Sequence, residues 1–317
     1  MHTCKVKSTK PANIQKNEYM NIYKKVHNED FVNPYAQVYR QFPHTSISQF
    51  VFEEKTFSLP MKRNLFRLLE IKGKINQHKV TLLIDTGAQS SAMRCSLFEI
   101  LNLKAYPPLE IGSFGGSKID LETVVVEEFA FGKMKVLNHP MVVLGEDTLQ
   151  MKIGPLNLIH FDAILGWDIL SRIDFELDDI AHQFKVIENT YRFKYPNFIK
   201  GSFPFMIGRR QNELVKLGID TGSYYSWISK DYMETNQMEK MEIETLSYGV
   251  HGKEKNASQM ALHYDVLLDR GYIVLSELIQ GPCQIFSHFK YDAVLGNEIF
   301  KGRRIRFLNS ATMVLFT

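Results

Sequence analysis

The 317-residue chain holds only three cysteines, Cys4, Cys95 and Cys283. Their odd number and lack of metal-ligand spacing argue against a disulfide framework and for free thiols in a reducing compartment. No apolar run approaches the ~18 residues of a membrane helix. Met1–Met20 is polar throughout, with no apolar leader core. A soluble, cytoplasmic protein is therefore expected. The net charge is only +3 and no long Lys/Arg block occurs, so neither nucleic acid nor a membrane surface is expected as a partner. The histidines, among them His139, His160, His182, His251 and His263, show no ligand spacing, so no metal and no cofactor is expected.

What remains is an ordinary globular balance, 44% hydrophobic and 23% charged, on a length that suggests about two domains. Within it one tripeptide occurs twice, as Asp85-Thr86-Gly87 and Asp220-Thr221-Gly222. Each ends a strand-like apolar run, Val80–Ile84 and Leu214–Ile219. A single Asp-Thr-Gly turns up by chance in roughly one chain of this length in fifteen, so one copy alone would mean little. Here the neighbourhood repeats as well. An offset of 135 (220 − 85) aligns Phe66–Gly87 with Gly201–Gly222 without a gap, and both stretches read as a β-hairpin around a polar turn. Phe161-Asp162-Ala163-Ile164-Leu165-Gly166 matches Tyr291-Asp292-Ala293-Val294-Leu295-Gly296, each followed by a short helical stretch. Between these landmarks lies a glycine-containing turn, around Phe114-Gly115-Gly116 in one half and Gly249-Val250-His251-Gly252 in the other. The expected organisation is an extension (1–58), a first lobe (59–190) and a second lobe (191–317).

An aspartate at the end of a buried strand needs compensation, because burial disfavours the charged carboxylate. Brought within about 3 Å, two such charges would repel by roughly 5 kcal/mol at an effective dielectric of about 20, or about four pKa units. The pair would then share one proton near neutral pH. One carboxylate could take a proton from water while the other gives one to a carbonyl oxygen. Thr86 and Thr221 offer hydroxyls that could bond across a twofold, while Gly87 and Gly222 permit a tight turn. Asp162 and Asp292 read as turn caps, Asp168 and Glu298 as helix-start residues, and Trp167 and Trp227 as core.

On these residues the chain resembles the aspartic proteases of the pepsin and retropepsin clan, in particular a retropepsin-like enzyme with both lobes fused. The resemblance spans roughly residues 59–317. It implies a mostly β fold of two homologous β-barrel lobes about a pseudo-twofold, acting as a monomer without metal or cofactor. It also implies peptide-bond hydrolysis in an extended peptide or protein substrate. Asp85 and Asp220 match the catalytic pair, with Thr86, Gly87, Thr221, Gly222 and Ser223 supporting the loops. Phe114, Gly115, Gly116, Gly249, Val250 and His251 fall where the family carries substrate-binding flaps. Ala88 follows the first triplet as in retroviral enzymes, and Ser223 the second as in pepsins. Ser223 is expected to donate a hydrogen bond to Asp220, leaving Asp85 as proton carrier. The alternative is a silent peptide-binding module on the same fold. The extension reads as a propeptide, a partner-binding arm or added strands and helices, the last being favoured.

Overall fold

The computed structural model describes residues 48–112, 118–145, 152–153, 156–157, 160–193, 196–201, 203–211, 213–249, 252–268, 271–281, 284–286 and 289–317, with 5–7, 17 and 20–21 ahead of them. The chain runs through β1 (Lys5–Lys7), β2 (Gln49–Phe52), β3 (Phe57–Pro60), β4 (Lys62–Arg63), β5 (Leu69–Ile75), β6 (His78–Ile84), β7 (Ala92–Arg94), β8 (Tyr106–Gly112), β9 (Lys118–Phe131) and β10 (Met134–Leu144). It continues through β11 (Lys152–Ile153), β12 (Leu156–Asn157), β13 (Ala163–Leu165), β14 (Asp174–Asp178) and β15 (Gln183–Ile187).

The expected first hairpin is β5–β6, in register Gly73↔Val80. Its turn residues Asn76 and Gln77 both take positive φ, 45° and 67°, the geometry that matches the twist of a two-residue hairpin loop. β6 starts with an exposed end and finishes in fully buried Leu82-Leu83-Ile84. The run is unbroken because this strand is central, with β5 on one side and the parallel β13 on the other. A nine-stranded sheet results, in the order β2-β10-β7-β13-β6-β5-β9-β8, with β4 beside β5 and a further β10–β9 pairing.

The rest of the chain supplies β16 (Phe198–Lys200), β17 (Pro204–Arg210), β18 (Glu213–Ile219), β19 (Trp227–Ile228), β20 (Lys240–Gly249), β21 (Gly252–Leu268) and β22 (Gly271–Gln280). After them come β23 (Gln284–Phe286), β24 (Phe289–Lys290), β25 (Ala293–Leu295), β26 (Arg304–Leu308) and β27 (Met313–Phe316). These build a second nine-stranded sheet, β1-β22-β19-β25-β18-β17-β21-β20, with β16 beside β17 and a further β22–β21 pairing. Its strand order matches that of the first sheet place for place.

A five-stranded sheet, β27-β26-β14-β15-β3, joins the two halves. β14 and β26 pair antiparallel, and the rings of Phe175 and Phe307 stack with centroids 4.5 Å apart across that seam. Trp167, Phe184, Phe198 and Phe307 continue one apolar core from half to half. Two strands are described within the extension and a third, β3, crosses its boundary with the first lobe. β1 lies on the edge of the second sheet, β2 holds the equivalent edge of the first, and β3 closes the joining sheet.

Candidate active site

β6 and β18 each end at an aspartate. Asp85 N–H donates to Leu165 O (3.1 Å) and Asp220 N–H to Leu295 O (2.9 Å), so the apolar-Leu-Gly strands β13 and β25 lie directly beside the two loops. The loops then cross-link. Thr86 Oγ donates to Ile219 O and accepts from Thr221 N–H, while Thr221 Oγ donates to Ile84 O and accepts from Thr86 N–H, all at 2.8–3.0 Å. Both threonines are fully buried, so every one of these polar groups depends on the other loop.

This interlock sets the aspartates face to face. Asp85 Oδ1 accepts from Gly87 N–H (2.8 Å) and Ala88 N–H (3.0 Å), and Asp220 Oδ1 accepts from Gly222 N–H (2.8 Å) and Ser223 N–H (3.1 Å). Each glycine is packed on the opposite carboxyl. A Cβ on Gly87 would fall 2.4 Å from Asp220 Oδ1, and one on Gly222 would fall 2.3 Å from the Asp85 carboxyl carbon. Burial pushes both carboxyls above the usual carboxylate range. The N–H groups of Ala88 and Gly87 pull Asp85 part of the way back, whereas the charge of Asp85 pushes Asp220 further up. Such a pair holds one proton more readily than none. With one proton between them, the two carboxyls can offer an acceptor oxygen on one side and a proton donor on the other.

Ser223 departs from expectation. Its hydroxyl donates to Tyr225 O (2.9 Å) and accepts from the indole N–H of Trp227 (2.7 Å), so only its backbone N–H reaches Asp220. The hydroxyl therefore does not favour ionised Asp220, and Asp85 is not singled out as proton carrier. Trp227, expected in the core, is instead half-buried beside this loop. Asp162 and Asp292 do more than cap a turn: Asp162 Oδ2 accepts from Thr81 N–H (2.6 Å) and Asp292 Oδ2 from Lys216 N–H (2.7 Å), tying each to a strand that ends in an aspartate.

Of the expected substrate-binding turns, Gly249 pairs with Gly252 at the end of the β20–β21 hairpin. Phe114, Gly115, Gly116, Val250 and His251 lie outside the described residues. Among the described residues no three His, Cys, Asp or Glu side chains are grouped as metal ligands would be, and no helix is long and apolar enough to cross a membrane.

Sequence reasoning missed two groups behind the loops. Arg63, on β4, donates from Nε to Asp179 (2.6 Å) and from Nη1 to Asn297 Oδ1 (2.5 Å), while Asn297 Nδ2 donates to Thr221 O (2.8 Å). The position of Asn297 in the first half is held by Trp167, whose indole N–H donates to Gly201 O (2.9 Å). The second group is a fully buried His139 beside Asp168.

A family model described as "gag-polyprotein putative aspartyl protease" matches residues 71–172, a span that contains Asp85 and stops short of Asp220. Among solved structures, the chain is similar to a retropepsin-like aspartic protease from Rickettsia conorii, at 18% identity over 44% of this chain and 92% of that one, with a TM-score of 0.28. No curated protein matches. The family match is confined to that segment, about a third of the chain.

Proposed function

We propose that the chain is an aspartic endopeptidase whose two lobes, 59–190 and 191–317, each contribute one aspartate to a shared site. The observation that carries this reading is the reciprocal lock of the two Asp-Thr-Gly loops, which sets Asp85 against Asp220 with burial raising both. The matching strand orders of the two large sheets support a duplicated fold with a pseudo-twofold between the loops. In the reaction, a water held between the carboxyls loses a proton to the ionised member and attacks the scissile carbonyl carbon. The protonated member gives its proton to the carbonyl oxygen. Collapse of the tetrahedral species breaks the C–N bond, and the departing nitrogen takes up the proton gained from water. The two long hairpins, β8–β9 and β20–β21, would close over an extended peptide, with Phe114–Gly116 and Gly249–His251 as the segments that meet it. A fused pair of lobes needs no second chain, so the enzyme acts as a monomer, on an intracellular protein or precursor peptide.

The test is cleavage of a diverse peptide library from pH 4 to pH 8 by the wild type, Asp85→Asn and Asp220→Asn. Turnover abolished in both variants fits a shared site. Turnover surviving in either variant, or absent from the wild type, defeats the reading.

A further inference from the structure

Asn138 takes φ 53°, a left-handed conformation rare outside glycine and best tolerated by asparagine. It stands inside β10 where the burial pattern changes, at the level where the paired β9 also shifts, from Val124 and Val126 to Phe129 and Phe131. Met134 and Val136 point inward, then the alternation shifts, and His139, Met141 and Val143 point inward instead. A change of parity along a strand swaps its faces. Here it sends a histidine into the core, edge-on to Phe129.

Inside, His139 links two segments that are far apart in sequence. Its Nε2 lies 3.2 Å from Asp168 Oδ2 and its Nδ1 lies 3.1 Å from Ser48 Oγ. Asp168 in turn accepts from Ser91 N–H (2.7 Å), Ser91 Oγ–H (2.6 Å) and Ile169 N–H (2.9 Å), and Ser91 Oγ accepts from Gly166 N–H (3.1 Å). With Asp168 ionised and both its oxygens already accepting, the ring fits as the Nε2–H tautomer, donating to Asp168 and accepting the Ser48 hydroxyl at Nδ1. Burial, helped by Arg172, keeps the imidazole neutral, its pKa lowered to about 3. The same Arg172 lies 5.2 Å from the ring of Phe50 on β2. Beyond Asp168 the path is short: Trp167 N–H donates to Ala88 O (2.7 Å), and Ala88 N–H donates to Asp85.

In sequence the second half lacks the histidine of this chain. Ser226 N–H donates to Glu298 and Gly296 N–H to Ser226 Oγ, repeating the Ser91 pattern. But the register that pairs Ala92 with Val142 in the first sheet pairs Trp227 with Ile279 in the second, so the place of His139 falls to Ser276.

We propose that Ser48, His139 and Asp168 are positioning residues that let the strand preceding the first lobe set the geometry of the first Asp-Thr-Gly loop. The inference deepens the protease reading and rests on it for its kinetic arm. The extension is then a working part of the enzyme: β2 docks on β10, Ser48 fixes the histidine tautomer, and Asp168 carries that restraint to Ser91, Gly166 and the loop bearing Asp85.

The experiment uses the full chain and three variants, Ser48→Ala, Ser48→Thr and Asp168→Asn. The ring nitrogens of His139 are followed by NMR, together with the backbone amides of Gly87, Ala88 and Trp167. In Ser48→Ala the ring signals move toward a different tautomer balance and the three amides shift, while Ser48→Thr, which keeps the hydroxyl, restores both. Asp168→Asn perturbs the same signals more strongly. In peptide cleavage, Ser48→Ala lowers kcat roughly 3- to 30-fold with KM nearly unchanged, and Ser48→Thr recovers it. Ring signals that move while the loop amides stay fixed, or a kcat equal to that of the wild type in Ser48→Ala, overturn the proposal. If the wild type cleaves nothing, the protease reading fails, and the NMR arm still decides whether Ser48 positions the loop.

Discussion

The two Asp-Thr-Gly loops are bonded alike in front and braced differently behind. Each aspartate accepts two N–H groups of its own loop, and each threonine bonds to the facing loop. Behind the first loop stands a buried Ser48–His139–Asp168–Ser91 chain. Behind the second stands Asn297, held by the guanidinium of Arg63 and holding Thr221 O. Both braces draw a residue from the stretch 48–63, just before the first hairpin. Symmetry is kept where a reaction on two carboxylates would need it and abandoned where only a firm support is needed.

The harshest way to break the front-side likeness is at the aspartates. Asp85→Asn and Asp220→Asn are each expected to lower peptide turnover by more than about 10³-fold, since neither amide can exchange a proton as the acid does. Gly87→Ala and Gly222→Ala should do comparable harm from the other side, because the new methyl would overlap the opposite carboxyl. Steady-state kinetics on one reporter peptide measures all four. Equal losses in the two halves would mark the site as shared, and a loss confined to one half would end the comparison.

Next come the threonines. Thr86→Val and Thr221→Val keep the shape of the side chain but strip two hydrogen bonds and leave a buried N–H and a buried carbonyl unpaired. Each should cost about 2–4 kcal/mol of stability by denaturant unfolding. The two changes orphan different groups, Thr221 N–H and Ile219 O in one and Thr86 N–H and Ile84 O in the other. Any shortfall of the double variant from the sum therefore measures how far loosening one loop already frees the other.

How far these features could be read in advance depended on whether they were local. The β5–β6 hairpin, the buried ends of β6 and β18 and the helical turns after Gly166 and Gly296 follow from periodicity and turn residues within short windows. The pairing of Thr86 with Thr221 followed from a repeated triplet. His139 did not, because its inward direction depends on the backbone of Asn138, which no pattern of apolar residues reveals. Arg63 and Ser48 escaped for a similar reason. Their partners lie 234 and 91 positions away, and a lone polar residue in an unrepeated stretch gives no hint of such a partner.

The braces should separate in their response to pH. Burial lifts Asp168 to about 7, against the pull of the Ser91 and Ile169 amides. The folded protein therefore binds a proton there that the unfolded chain has lost, and the Asp168 contribution to stability falls as pH rises from about 4 to about 7. His139, lowered to about 3, contributes with the opposite sign over most of that range. The carboxyls of Asp85 and Asp220, raised as well, add a contribution of the same sign as Asp168. On the joining sheet the sign is opposite. Burial alone would raise Glu176 and Asp178, but Lys185 with Arg306 or Arg304 outweighs it and holds both below their usual range. Their contribution is present above the ordinary carboxylate pKa and is lost as pH drops through their folded values. Asp168→Asn should thus flatten the neutral side of the stability profile, by up to about 1.4 kcal/mol per pH unit, and leave the acid side unchanged. An unaltered slope between pH 5 and pH 7 would show that Asp168 does not titrate there.

The smallest effect is expected at Ser223, where the halves differ most visibly in sequence, Ser against Ala88. A serine after the second triplet invites the idea that its hydroxyl biases which aspartate keeps the proton. The hydroxyl is turned away, toward Tyr225 O and the Trp227 indole. Ser223→Ala should therefore leave both limbs of the pH–rate profile in place, since Asp220 keeps its contact with the residue's backbone N–H. It should cost about 1 kcal/mol in stability, because the Trp227 N–H loses its acceptor, and Trp227→Phe in the same background should recover most of that cost by removing the orphaned donor. A pH–rate limb that moves in Ser223→Ala would mean that the hydroxyl swings to Asp220 during turnover, and the two loops would then differ in front as well as behind.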